Sequence, residues 1–140
     1  MSTETERTEG NPVRFPVEEG AVRQFRQAAQ MSEPDDANTV PWTFPMAVAH
    51  WLGPEDKVDT GFDRTRLLHG GQEFVYPDGP LEPGRELIAQ ESIVDRFEKR
   101  GSRGGLMKFV VVETTFRDAV SGVVATYMRR TLIEREGAPS

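Results

Sequence analysis

Residues 41–86 read PWTFPMAVAHWLGPEDKVDTGFDRTRLLHGGQEFVYPDGPLEPGRE, and this stretch decides the fold. Its first part, residues 42–52, is apolar on nearly every side, a pattern typical of a helix that other structure surrounds. Residues 67–76 then form an extended run that stops at Pro77, and Gly79 and Pro80 mark a tight turn. The stretch predicts a buried helix near residues 43–52, followed by a strand.

Four strand runs are predicted from residue 67 onward, at residues 67–76, 86–99, 106–117 and 123–135. The separators are short and permit antiparallel hairpins, whereas parallel pairing needs long crossovers. We therefore predict an antiparallel meander. Residues 109–112 are Phe-Val-Val-Val and do not alternate, so this strand is expected to be covered on both faces. The helix would cover one face, and an N-terminal strand, a loop or a second subunit would cover the other.

The segment before residue 41 supplies the remaining elements. Residues 1–11 are polar without an apolar period and are expected to form a disordered tail. An extended piece surrounds Val13, and an amphipathic helix is predicted over residues 18–30, closed by a turn at 32–36. Residues 53–61 are predicted to be a mobile surface loop. The whole is an α+β domain over residues 12–136, a single hotdog fold in which an antiparallel sheet wraps around a central apolar helix.

Composition excludes several classes of function. The 140 residues suffice for one domain, and the formal net charge of −6 argues against a nucleic-acid surface or an anionic membrane. The absence of cysteine excludes disulfides and thiolate zinc sites, and two histidines leave little for another metal site. We expect no metal and no cofactor. No signal-peptide core or membrane-spanning run is present, so a cytoplasmic location is expected.

Three motifs carry a resemblance to a known family. They are Pro-Trp-Thr-Phe-Pro at residues 41–45, His-Gly-Gly-Gln-Glu-Phe at residues 69–74 and Pro-Leu-Glu-Pro-Gly at residues 80–84. In this order and spacing they resemble the N-terminal, MaoC-like hotdog domain of (R)-specific enoyl-thioester hydratases and dehydratases. The likeness covers roughly residues 13–135. It implies an acyl-CoA or acyl-carrier-protein thioester as the ligand.

The catalytic motif of that family is not intact. Its active members carry Asp-x-Asn-Pro-x-His ahead of the central helix, and the nearest stretch here keeps Asp36 and Asn38 but has Pro41 in the place of the histidine. An Asp and a neutral His together activate the water that adds to the enoyl thioester, and proline has no proton to transfer. We expect Asp36 and Asn38 to be turn or capping residues. The resemblance therefore indicates the noncatalytic, acyl-binding half of such an enzyme.

Two residues remain as weak catalytic candidates. An unperturbed imidazole titrates near neutral pH, which makes His69 a candidate acid or base, and Asp63 lies upstream where it could orient the ring. The competing interpretation is that His69 is a strand-entry residue bonded to backbone. His50, within the apolar helix, is expected to be a core or interface histidine.

The substrate-binding residues expected from the motifs are Trp42, Thr43, Phe44, His69, Gly70, Gly71 and Gln72. Trp42, Phe44 and Trp51 would either line an acyl tunnel or fill the core. The expected partner is a second hotdog subunit, in a homodimer or in a heterodimer with a subunit that carries the dyad.

Three functions remain open from the sequence. The first is a subunit of an (R)-specific enoyl-thioester hydratase or 3-hydroxyacyl-thioester dehydratase. The second is a homodimeric hotdog thioesterase, which would need a carboxylate against the thioester. The central helix carries none, and Glu73 or Asp63 would have to reach the thioester across a dimer. The third is a nonenzymatic acyl-thioester-binding module. Whether the chain alone is an enzyme is left open.

Overall fold

The chain folds around one antiparallel sheet of five strands. The computed structural model describes residues 7–31 and 39–136. The four long strands predicted from residue 67 onward are confirmed within one or two residues at each end. The helix predicted over residues 18–30 is shorter than expected. The strands are β1 (Val13–Pro16), β2 (Leu67–Val75), β3 (Glu86–Arg100), β4 (Leu106–Asp118) and β5 (Val124–Arg135), and the helices are α1 (Glu19–Ala28) and three 3₁₀ helices at Phe44–His50, Pro54–Asp56 and Arg64–Arg66.

The strand order is β1-β3-β4-β5-β2, so the predicted meander is wrong for β2. Strands β3, β4 and β5 follow each other as hairpins, but β2 pairs with β5 at the far edge of the sheet. The connection after β2 explains this placement. It ends beside Val17, which donates from its N–H to the carbonyl of Arg85 at 2.8 Å and accepts from the N–H of Gly84 at 2.7 Å. These bonds place the start of β3 beside β1.

An N-terminal segment, residues 7–10, continues the sheet edge beyond β1. The N–H of Gly10 donates to the carbonyl of Glu91 at 3.0 Å, and the N–H of Ile93 donates to the carbonyl of Thr8 at 2.9 Å. Isolated bridges join Glu9 to Ser92 and Arg7 to Asp59. These residues fall within the predicted disordered tail and instead pair with β3, while residues 1–6 lie outside the described residues.

The core forms where the sheet meets the helices. Phe15 on β1 lies 5.0 Å from Phe116 on β4 and 5.5 Å from Phe44 on the central 3₁₀ helix, measured between ring centroids. Phe25 on α1 lies 5.5 Å from Phe44 on another side. These four rings join the sheet to both helices. Buried side chains that complete the cluster are Val17, Val22, Val40, Val48, Leu81, Leu87, Ala89, Ala125 and Met128.

The central helix is a 3₁₀ helix of seven residues, Phe44–His50, and it is not buried on every side as predicted. Phe44, Pro45 and Val48 are buried. Trp42 and Trp51, which flank the helix, are 56% and 44% exposed. So short a helix presents only one side to the sheet, and its other side leaves large apolar groups in solvent.

Strand β4 is covered less evenly than its sequence predicts. Val110 and Val112 are fully buried, whereas Phe109 and Val111 on the opposite face are half-buried. Phe109 is partly covered by Phe97 of β3, whose ring stacks on it with centroids 4.6 Å apart. Burial on this strand therefore alternates although the residue types do not.

Replacing Gly10 by alanine is expected to release the N-terminal segment. A Cβ there would lie 1.8 Å from the backbone oxygen of Asp56, and backbone cannot move aside as a flexible side chain can. We expect Gly10→Ala to lower the free energy of unfolding by about 1–3 kcal/mol and to speed hydrogen exchange at the N–H of Ile93.

The matched control is Gly20→Ala on α1, where an added Cβ meets nothing within 4 Å. It is expected to stabilise the protein by about 0.5–1 kcal/mol, because alanine is the better helix former. Chemical denaturation measures both variants. Equal stability of Gly10→Ala and wild type would contradict the close packing of this segment.

Asp118 is expected to make the turn between β4 and β5 sensitive to acid. Its carboxylate accepts from the N–H groups of Ser121 and Val120, each at 2.9 Å, and from Arg85 at 3.3 Å. These bonds lower the pKa of Asp118 to about 2. Because the folded pKa lies below the unfolded value of about 3.9, the carboxylate stabilises the fold above that value. The contribution is lost as pH falls toward about 2.

We therefore expect wild type to have a higher free energy of unfolding than Asp118→Asn near neutral pH. This stability gap should shrink as the pH is lowered. Denaturation at several pH values measures this gap. The control is Asp78→Asn, because Asp78 is exposed and makes no side-chain hydrogen bond within the described residues. A gap that stays constant with pH would show that the Asp118 charge does not matter.

Candidate functional site

A cavity of about 440 Å³ lies between the sheet, the central 3₁₀ helix and residues 57–64. Nine of its sixteen lining residues are apolar. Its volume falls within the range of about 300–1,000 Å³ that is usual for small-molecule sites. Strands β2, β3 and β5 each contribute a side chain to it. The apolar lining residues are Met46, Val48, Ala49, Leu52, Val58, Phe62, Leu67, Met128 and Leu132.

The polar lining residues of the cavity are Gln72, Glu91 and Arg130 on the sheet, and Lys57, Asp59, Thr60 and Arg64 on the segment at residues 57–64. Glu91 is 3% exposed, and its carboxylate accepts from Nη2 of Arg130 at 3.1 Å and from the N–H of Val58 at 3.0 Å. Gln72 lies opposite Arg130 in the register of β2 and β5. The buried carboxylate is thus compensated, which a charge out of water requires.

Two donors in this polar cluster are without a partner. Nε2 of Gln72 and Nε of Arg130 are both buried and make no hydrogen bond within the described residues. A buried donor left unpaired costs about 1–3 kcal/mol. Both nitrogens are enclosed by protein atoms and are not exposed to the cavity.

Residues 57–66, which form one side of the cavity, are attached to the sheet by buried carboxylates. Glu91 binds the N–H of Val58, and Glu134, 8% exposed, accepts from the N–H of Asp63 at 2.5 Å. Arg96 donates to the carbonyl of Thr60 at 3.0 Å. The predicted surface loop at residues 53–61 is therefore bonded to the sheet and includes a 3₁₀ helix at Pro54–Asp56.

A second cavity of about 450 Å³ separates α1 from the central helix. Its lining includes Phe25 and Ala28 of α1 and Ala47 of the central helix, and it is almost entirely apolar. His50 also borders it and is exposed, so the interpretation of His50 as a core residue is wrong. Its expected place at an interface stays a prediction.

The structure separates most of the predicted substrate-binding residues. Gln72 lines the first cavity, whereas Phe44 lies in the core and borders the second. Trp42 and Thr43 are exposed before the central helix. Trp42 packs edge-on against Tyr76, with ring centroids 4.7 Å apart, and burial raises the pKa of Tyr76 to about 12.

Gly70 and Gly71 lie at a bulge in β2, where the register with β5 shifts between His69 and Gly71. A Cβ on Gly70 would lie 2.7 Å from Cδ1 of Ile133. Close packing explains this glycine. Neither glycine lines the cavity.

The weak catalytic candidates are not paired. Asp63 caps the 3₁₀ helix Arg64–Arg66 and accepts from the hydroxyl of Thr65 at 2.7 Å and its N–H at 2.9 Å, which lower the pKa of Asp63. His69 is exposed, and its side chain makes no hydrogen bond within the described residues, so the expected bond to backbone is absent. Asp36 and Asn38 lie outside the described residues.

Sequence reasoning missed Glu91 and Arg130, the polar core of the cavity. The signal was available, because Leu87, Ala89 and Glu91 alternate along the inner face of β3. A charge at the next inward position of such a series predicts a buried, paired group. Its partner on β5 could not be identified without knowing how the strands are ordered.

Two further observations bear on the class of protein. Within residues 7–31 and 39–136, no three His, Asp or Glu side chains are grouped as a metal site would require. Among the helices of those same residues, none combines the length and hydrophobicity needed to cross a membrane.

Solved structures with the same fold include several dehydratases. A chain of the HadBC (3R-hydroxyacyl-ACP dehydratase) complex from Mycobacterium tuberculosis matches with a TM-score of 0.66 and 20% identity, covering 95% of this chain and 99% of that one. A chain of the ChsH1-ChsH2 complex from the same organism matches with a TM-score of 0.64 and 15% identity, covering 94% and 88%. The MaoC-like dehydratase from Rhodospirillum rubrum matches with a TM-score of 0.56 and 16% identity, covering 98% and 96%. These likenesses confirm the predicted hotdog fold.

Sequence comparison assigns the family. No curated protein sequence matches the chain. The pattern of the family described as "FAS1-like, dehydratase domain region" matches residues 4–127, which is most of the chain. This match confirms the resemblance to MaoC-like domains that the three motifs indicated. The chain belongs to the FAS1-like, dehydratase domain region family.

Proposed function

We propose that this protein is the acyl-binding subunit of an (R)-specific enoyl-thioester hydratase or 3-hydroxyacyl-thioester dehydratase, and that it lacks the Asp/His dyad. Its ligand is an acyl thioester of CoA or of an acyl carrier protein. Its partner is a second hotdog subunit that carries the dyad. The observation that carries this proposal is the cavity under the central 3₁₀ helix, in which nine of sixteen lining residues are apolar.

The dimensions and walls of the cavity suit an acyl chain. Met46, Val48 and Leu52 form its helix side, and Met128 and Leu132 form its sheet side. Methionine side chains adapt their shape to a bound chain without losing contact area. Burial of each CH₂ group of the ligand contributes about 0.8 kcal/mol, so a chain of several carbons supplies useful affinity.

The absence of the dyad rests on both sequence and geometry. Pro41 stands where the family motif has histidine, and it cannot transfer a proton. Asp63 is engaged as a helix cap, and within residues 7–31 and 39–136 no carboxylate is bonded to His69. Two carboxylates line the cavity. Glu91 is committed to Arg130 and Val58, and Asp59 accepts from the N–H of Gly61 at 2.9 Å. A partner must supply the acid and the base.

The sheet offers a place for such a partner at β2. This strand is the edge of the sheet and pairs only with β5 in the described part of the chain. Its residues Leu68 and His69 are exposed, and an exposed edge readily accepts another strand. The HadBC and ChsH1-ChsH2 structures are complexes of two different subunits, which favours a heterodimer for this chain also.

The two other functions fit the site less well. A thioesterase needs a free carboxylate near the thioester, and the helix Phe44–His50 contains no acidic residue. Glu73 is exposed on β2 and does not line the cavity. A nonenzymatic binding module shares the cavity with the proposed subunit and differs from it only in having no catalytic partner.

Filling the cavity is expected to block acyl binding. Ala49 lines the first cavity, and the substitution Ala49→Phe would occupy much of its volume. We expect this variant to bind decanoyl-CoA at least about tenfold more weakly than wild type, because the acyl chain loses its apolar contacts. Isothermal titration calorimetry measures the affinity.

The matched control is Ala28→Phe, which makes the same change at the second cavity and is expected to leave the affinity unchanged. If Ala28→Phe abolishes binding and Ala49→Phe does not, the acyl chain occupies the second cavity.

In both variants and in wild type, crotonyl-CoA hydration by the chain alone should be about 10²–10⁴ times slower than by a hotdog hydratase with an intact dyad. Fast hydration by the chain alone would reject the dyad-lacking assignment.

The two residues first considered as a catalytic pair are expected to differ in stability tests. Asp63→Ala removes a helix cap and should cost about 0.5–2 kcal/mol. His69→Ala removes an exposed side chain without a hydrogen bond and should change stability by less than about 0.5 kcal/mol. Urea denaturation of the isolated chain measures both. A large loss of stability in His69→Ala alone would show that His69 has a structural role that the observed contacts do not explain.

A further inference from the structure

The charges that line the first cavity do not balance. Three cations, Lys57, Arg64 and Arg130, and two carboxylates, Asp59 and Glu91, lie in its wall. Glu91 and Arg130 are 3.1 Å apart, so these two charges compensate each other. Two cations of the segment at residues 57–64 then face the single carboxylate of Asp59. This local excess is opposite in sign to the net charge of −6 on the whole chain.

Burial gives the cavity a direction. Val48, Glu91 and Met128 are 2%, 3% and 8% exposed and form its buried side, whereas Lys57 and Arg64 are exposed and lie where it opens to solvent. An apolar group gains most at the buried side, and a charged group keeps part of its hydration beside the exposed cations. The cavity therefore suits a ligand with an apolar part and an anionic group.

The side chains of Lys57 and Arg64 have no partner to give up. Within residues 7–31 and 39–136, neither side chain makes a hydrogen bond or an ion pair. The Asp59 carboxylate accepts from the N–H of Gly61 at 2.9 Å. An anion that enters the cavity therefore meets two cations that no protein carboxylate already binds.

Other charged groups near this segment do not cancel the excess. The carboxylate of Asp63 is bonded to Arg66 at 3.3 Å. Two further carboxylates and two further cations lie beside the segment without lining the cavity, and they are Glu55, Asp56, Arg7 and Arg96. These four balance one another in charge. The positive excess thus belongs to the cavity itself.

The backbone at both cations is attached to the sheet. The N–H of Val58, next to Lys57, is bound by Glu91 at 3.0 Å, and the N–H of Asp63, just before Arg64, is bound by Glu134 at 2.5 Å. A ligand therefore has to order two side chains but not the segment that carries them. Such preorganisation reduces the entropic cost of binding.

We propose that Lys57 and Arg64 bind an anionic group of the ligand, a phosphate or a carboxylate, at the opening of the first cavity. This inference rests on the proposed acyl-binding function and adds a charged group to the ligand class. The anionic group has two sources, a phosphate on the carrier side of the thioester or a carboxylate at the far end of the acyl chain. The phosphate requires the chain to enter tail first, and the carboxylate requires the opposite direction.

Binding of three probes to wild type and to the double variant Lys57→Gln/Arg64→Gln tests the proposal. S-decanoylpantetheine is the neutral reference. S-decanoyl phosphopantetheine adds only a phosphate, and the monothioester of decanedioic acid with pantetheine adds only a carboxylate at the end of the chain. We expect wild type to bind one charged probe about tenfold more tightly than the neutral probe at low salt. The double variant should lose that preference.

The matched control is Arg23→Gln/Lys108→Gln, which removes one arginine and one lysine that are exposed and lie outside the cavity. Because its net charge equals that of the test variant, it should keep the wild-type preference. The preference should also shrink between about 0.01 M and about 1 M salt, because the Debye length falls from about 30 Å to about 3 Å. The charge-conserving variant Lys57→Arg/Arg64→Lys should keep the preference.

The outcomes separate this proposal from the one on which it rests. If no probe binds to wild type, the acyl-binding function fails and this inference fails with it. If the neutral probe binds as tightly as both charged probes, or if the preference survives in Lys57→Gln/Arg64→Gln, only this inference is rejected. Loss of the preference in either the matched control or the charge-conserving variant rejects it likewise. The charged probe that wild type prefers identifies the source of the anionic group.

Discussion

The buried carboxylate of Glu91 is the constraint on which the site depends. A charge at 3% exposure must be compensated, and Glu91 obtains compensation from Arg130 of β5 and from the N–H of Val58. Its own backbone carbonyl accepts from the N–H of Gly10. Glu91 of β3 therefore contacts β5 through Arg130, the cavity wall through Val58 and the N-terminal segment through Gly10. Removal of its charge would affect the contacts with Arg130 and Val58 together, whereas the bond to Gly10 uses the backbone carbonyl.

Sequence periodicity was sufficient for the elements that bury a continuous apolar face. The alternation along β3, with Leu87 and Ala89 inward, indicated a strand that the structure confirms. The stripe containing Val22 and Phe25 likewise indicated α1. In these elements local pattern and tertiary burial agree, and such agreement makes an element predictable.

The sequence was insufficient to predict features that depend on contacts between residues far apart in the chain. Strand β2 was predicted correctly as a strand, but its partner depends on the bonds of Val17 with Gly84 and Arg85, which no local pattern reveals. The N-terminal segment is polar and has no period, yet it is bound through backbone groups, to which any residue contributes. The Glu91–Arg130 pair is separated by 39 positions and required the strand order. Pairing and burial of charge are tertiary properties.

The segment at residues 7–10 joins the cavity wall to the sheet. Nη1 of Arg7 donates to the carbonyls of Pro54 and Lys57, and the carbonyl of Arg7 accepts from the N–H of Asp59. The segment thus fastens the cavity wall, while the aromatic cluster around Phe15 holds the sheet and helices together independently. The segment therefore contributes both to the position of the cavity wall and to the stability of the sheet, through its bonds to β3.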